Sequence, residues 1–127
     1  MDKYYTPEIE EVHVGFIFEQ TTGYKFVTRI YAEDLGGLYS MRNAIDQSQV
    51  RVKYLDREDI ESLGWIHTGG TMDAARSLQH FRNGNIMELI LYRGTKVRIH
   101  NTRNEIFFLG TIKNKSELSR ILKQIGI

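Results

Sequence analysis

Leu78-Gln79-His80-Phe81-Arg82-Asn83-Gly84-Asn85-Ile86-Met87-Glu88-Leu89-Ile90-Leu91-Tyr92 is the stretch that decides the fold. Two runs with strand character flank Asn83-Gly84, the dipeptide best suited to a two-residue hairpin turn because both central positions need positive φ. A helical reading competes, since Ala74, Leu78 and Phe81 fall on one helical face. Turn chemistry outweighs it, and the sequence predicts Leu78–Arg82 paired with Asn85–Tyr92. The second strand is apolar on both sides, with Ile86, Ile90 and Tyr92 against Met87, Leu89 and Leu91. That pattern predicts a central strand covered on both faces.

Toward the C-terminus the meander continues through Lys96–His100 and Glu105–Ile112, with turns at Arg93-Gly94 and Asn101–Asn104. A final helix follows, with Asn114 as cap and Glu117 at the reciprocal position. Its stripe of Leu118, Ile121, Leu122 and Ile125 has helical spacing, and Gly126 is the stop. A helix this short is unstable alone in water, so the stripe must pack on the sheet.

Toward the N-terminus, Gln49–Leu55 alternates, with Val50, Val52 and Tyr54 on one face and Arg51 and Lys53 on the other, the period of a half-buried strand. Asp56 caps a short helix that carries Ile60 and Leu63 and ends at Gly64, with Asp59 placed to reach back to the cap. Within Asp34–Gln49, Gly36-Gly37 is a break, and Leu38, Met41 and Ile45 fit one helical face. Val12–Glu19 and Tyr24–Tyr31 read as a hairpin around Gln20-Thr21-Thr22-Gly23. The expectation is an α+β fold in one domain, residues 1–127. It has an antiparallel sheet (N-terminal hairpin, one further strand, C-terminal meander), a short middle helix and a C-terminal helix packed on the sheet.

With 127 residues, 41% of them apolar and 26% charged, the chain lies in the range of folded domains, far from the disordered regime. The absence of cysteine excludes disulfides, thiolate metal sites and a cysteine nucleophile, and fits a reducing compartment. Met1-Asp2-Lys3-Tyr4-Tyr5 lacks the pattern of an export signal, and no run approaches ~18 apolar residues. A cytoplasmic protein with no membrane partner is expected. Net charge is only +1, yet residues 1–61 hold seven Lys/Arg against twelve Asp/Glu while residues 90–127 hold eight against two. Either the two halves attract, or the second half presents a basic binding face.

Catalytic patterns are missing. His13, His67, His80 and His100 show no short ligand spacing, and no serine lies in a Gly-x-Ser-x-Gly context. Asp56, Glu58, Asp59 and Glu61 suit the first turn of a helix, and Glu8, Glu10 and Glu11 a solvated edge. His67-Thr68-Gly69-Gly70-Thr71 offers consecutive glycines for an anion but no Walker lysine, so it reads as a plain loop. The better candidate is a basic stripe. Lys96, Arg98 and His100 share one strand face, as do Arg51 and Lys53 on another strand. Should the two strands share a sheet and a face, they form a basic plate for phosphates, with Trp65 or a tyrosine as stacking surface. Ordinary solvated strand residues that guard a sheet edge are the competing account.

Three stretches carry a resemblance: Tyr5-Thr6-Pro7-Glu8-Ile9-Glu10-Glu11 leading to His13-Val14-Gly15-Phe16, Arg51–Asp56 running into Glu58–Trp65, and Gly110–Gly126. Together they resemble a family of small hypothetical proteins encoded by phages and prophages of Bacteroides-type gut bacteria. Residues 20–49 and the surroundings of Gly69 carry none of it, and the family commonly has an acidic or polar residue where this chain has Ile17. The resemblance implies the cytoplasm of a bacterial host and a role in countering host defence or assisting takeover, and no cofactor. It brings no established activity.

Three functions are compatible with these features. The first is a non-enzymatic binder of an anionic small molecule such as a nucleotide immune signal, held by Arg51, Lys53, Trp65, Lys96, Arg98 and His100. The second is a module that blocks or redirects a host protein through a surface such as Tyr4, Tyr5 and Glu8–Glu11. The third is a nucleic-acid binder, disfavoured by the near-neutral net charge. Exposed strand edges also allow a homo-oligomer.

Overall fold

The computed structural model describes residues 3–21, 23–32, 37–71, 78–84 and 86–127. Thr22 of the first expected turn, Asp34–Gly36, Ala74 and Asn85 lie outside the described residues. The chain divides into two compact units, Met1–Tyr54 and Leu55–Ile127, and the buried apolar side chains gather into two clusters.

In the first unit, β1 (Tyr4–Tyr5), β2 (Ile17–Thr21), β3 (Phe26–Ile30) and β4 (Val50–Lys53) form an antiparallel sheet in the order β1-β4-β2-β3, with α1 spanning Gly37–Asp46. The hairpin exists but is shorter than read, because Val12–Phe16 is not a strand. Gly15 takes φ +92°, and its N–H binds the Tyr31 carbonyl at 3.0 Å. This left-handed residue, open to glycine at little cost, bends the chain where the sequence alone looked extended. Phe16, Phe18, Tyr31, Val50 and Val52 pack with Met41 and Ala44 of α1. Leu38, expected on the buried stripe, is 52% exposed, and Ala44 takes its place.

In the second unit, α2 (Arg57–Ser62) precedes β5 (Ile66–Thr71), β6 (Leu78–Asn83), β7 (Met87–Leu91), β8 (Lys96–Asn101), β9 (Ile106–Thr111) and α3 (Lys115–Gln124). The five strands form an antiparallel sheet in sequence order. The deciding hairpin is present, but with a longer connection than the two-residue turn expected: Asn83 is itself a strand residue paired with Met87, Phe81 pairs with Leu89, and Gly84 has φ +63°. The α+β class read from the sequence holds, with the strands shared between two sheets. The glycine stretch expected as a loop is edge strand β5. Gly70 is required there, since a Cβ would lie within 2.4 Å of the Leu78 carbonyl oxygen.

Asp56 accepts from the Asp59 amide at 2.9 Å, and Asn114 accepts from the Glu117 amide at 2.9 Å, so both helix starts use the expected caps. The Glu117 carboxylate reaches one residue further than a capping box, to the Lys113 amide. Gly126, at φ +84°, closes α3 in a Schellman motif: Ile127 N–H donates to Leu122 C=O and Gly126 N–H to Lys123 C=O. One sheet face, bearing Phe81, Leu89, Leu91, Val97 and Ile99, packs with Ile60 of α2 and with Leu118 and Leu122 of α3. β7 is central, as expected, but fully covered only on this side: Ile90 is half-buried, and Ile86 lies outside the strand and is 68% exposed. Among the described residues, no helix is long and apolar enough to cross a membrane.

Candidate functional site

The strand register sets the site. On the sheet face opposite α2 and α3, one row across the strands reads Arg82, Glu88, His100, Ile106, and the next reads His80, Ile90, Arg98, Leu109. Lys96 shares this face by the two-residue period of β8. Lys96, Arg98 and His100 therefore stand together as expected, joined by His80 and Arg82 from β6. Glu88 is the one acid among the strand residues of this face.

His80, Arg82 and Lys96 are exposed, Arg98 is half-buried, and His100 is 5% exposed. Glu88 Oε2 lies 3.0 Å from His100 Nε2, and Glu88 Oε1 lies 3.6 Å from Arg82 Nη2. A carboxylate accepts only, so Nε2 carries the proton in that contact and Nδ1 is left as the other ring nitrogen. His100 Nδ1 is buried with no hydrogen-bond partner, and so is Arg98 Nε, two residues away on the same face. A buried, unsatisfied polar atom of this kind costs about 1–3 kcal/mol, more when charged. The Arg98 donor lacks an acceptor oxygen, and His100 Nδ1 becomes a second donor only when the ring is protonated. Chemically the arrangement can hold an anion, with Arg98 and, when protonated, His100 as inner donors and Lys96 and Arg82 as outer charges.

Three expected site residues are not on this sheet face. Arg51 and Lys53 lie on β4, in the other sheet, so the strands named for the basic plate do not share one. The Arg51 guanidinium is also occupied, 2.9 Å from Glu19 and stacked between the rings of Tyr4 and Phe26 at 3.8 and 3.9 Å. Trp65 is no stacking surface. It is 2% exposed, within the cluster that includes Ile60 and Leu118, because so large an apolar ring gains most from full burial.

His80, Arg82 and Glu88 were absent from the sequence-based site. Part of the signal was present: alternation along β6 puts His80 and Arg82 on one face, but the two-residue Asn83-Gly84 turn would oppose Arg82 to Asn85, whereas Arg82 pairs with Glu88, so the sequence did not supply their register. A recess of about 130 Å³ lies in the first unit between α1 and the sheet, lined by Phe18, Gln20, Arg29, Tyr31, Ser40 and Met41 among others. It falls below the roughly 300 Å³ at which small-molecule pockets begin, and Arg29 is engaged with Gln20 at 3.1 Å. No family model matches the chain, and no curated protein and no solved structure is similar to it.

Proposed function

We propose that the chain is a non-enzymatic binder of an anionic small molecule, held on the Arg98 face of the five-stranded sheet. The observation that carries this reading is the pair of buried, unpartnered nitrogens, Arg98 Nε and His100 Nδ1, on one sheet face. A phosphate or carboxylate oxygen placed between them satisfies Arg98 directly and, when His100 is protonated, both groups. Charge-assisted bonds of this type are the strong ones. Lys96 and Arg82 are exposed beside them and raise the local concentration of anions. The half-buried Ile90 and exposed Leu109 supply an apolar wall for the uncharged part of a ligand.

Within this reading the ligand is a nucleotide-type signal, and the activity is sequestration. This part rests on the resemblance to phage proteins and on the match between phosphate and a stationary guanidinium. Affinity comes from concentrated donors rather than from a reaction. Isothermal calorimetry against cyclic dinucleotides, ADP-ribose-type signals and inorganic phosphate tests it. Binding that Arg98→Met abolishes and Arg51→Met retains is expected. Silence across the panel removes the reading.

A further inference from the structure

β9 ends the five-stranded sheet, and among the described residues no strand pairs with its outer side. Such an edge is a template for another extended chain, and proteins usually guard it with lysine, proline, a covering element or a twisting bulge. Ile106–Thr111 contains no charge and no proline. It does contain a bulge, in which Ile106 and Phe107 together oppose His100. Here the bulge adds to the exposure. Ile106 lies opposite His100 and Leu109 opposite Arg98, while Phe107 has the parity of Leu109, so all three project from the same face. They are 51%, 46% and 54% exposed. A solvated edge strand would carry polar residues at these positions.

We propose that β9 pairs antiparallel with β9 of a second copy of this chain, joining two five-stranded sheets into one continuous sheet. The outward N–H and C=O groups of such an edge are matched in register by another extended backbone. The edge is also self-complementary. A two-fold axis through Phe108 sets Phe107 of each copy opposite Leu109 of the other, so exposed apolar side chains meet in pairs and no like charges face each other within the strand. That axis stands perpendicular to the sheet and keeps the Arg98 faces of both copies on one side. The pairing does not depend on the ligand reading, since it rests on the edge backbone and shares only Leu109 with the anion site.

Sedimentation velocity over a concentration series on the full chain reads the association. A dimer is expected, weakened by about tenfold or more in Leu109→Lys and in Phe107→Lys, each an exposed position where a charge guards the edge. Ile66→Lys, 68% exposed on the opposite edge strand, leaves it unchanged. Far-UV circular dichroism on each variant separates lost association from lost structure. Because the chain has no cysteine, register can be read directly. Phe107→Cys and Leu109→Cys oxidised as a mixture give more cross-linked dimer than either alone, since only the mixed pair is directly opposed. A chain that stays monomeric at its highest soluble concentration overturns the proposal, and that is also the outcome if β9 serves a different extended partner. So does a dimer that both lysine variants leave intact, one that Ile66→Lys dissociates, or a mixture that cross-links no better than its components.

Discussion

Arg98 Nε is a buried donor without an acceptor, and its cost falls on the unliganded protein. Replacing Arg98 by Met keeps most of the side-chain volume and removes that donor. Stability to urea is therefore expected to stay level or rise by up to about 1 kcal/mol while anion binding is lost. A structural role would instead lower the midpoint. Arg51 gives the opposite expectation, because its guanidinium lies flat between Tyr4 and Phe26 and is paired with Glu19. Lysine keeps the charge but not the plane, so Arg51→Lys should cost about 1 kcal/mol in the same assay. Sequence alone could place both arginines on strand faces through the period of two. It could not tell which was occupied, because the partners of Arg51 come from β1, β2 and β3, and only tertiary pairing assembles them.

Elements were legible where their signals are local. α3 announces its start through Asn114 and its stop through Gly126, both within one turn of the helix. Asn114→Ala should cost about 1 kcal/mol and Leu122→Ala about 2–5 kcal/mol, read from chemical unfolding. β6 and β7 were legible through Asn83-Gly84 for the same reason. β5 was hidden, since Thr68, Gly69 and Gly70 lack alternation and strand propensity, and the bulge between His67 and Gly69 disrupts the period further. β1 has only two residues, and nothing in Tyr4-Tyr5 shows that they pair with Val52 and Lys53. Which strands share a sheet is a non-local outcome, which is why Arg51 and Lys53 could be imagined beside Arg98. Trp65 falls between the helix stop at Gly64 and the unseen β5, so its burial had no visible cause in the sequence.

At the scale of the whole molecule the chain carries two apolar clusters, one centred on Phe16, Phe18 and Val50 and the other on Ile60, Leu89 and Leu118. Each draws its residues from one unit, with strands and at least one helix of its own. The chain's single tryptophan, Trp65, belongs to the second cluster and is sealed from water. Its emission is therefore an intrinsic optical probe of residues 55–127 alone, while backbone ellipticity reports both halves. In thermal melts, Leu118→Ala should shift the fluorescence transition downward by several degrees. A single indole thus reports the melting of its own cluster directly, with no label attached.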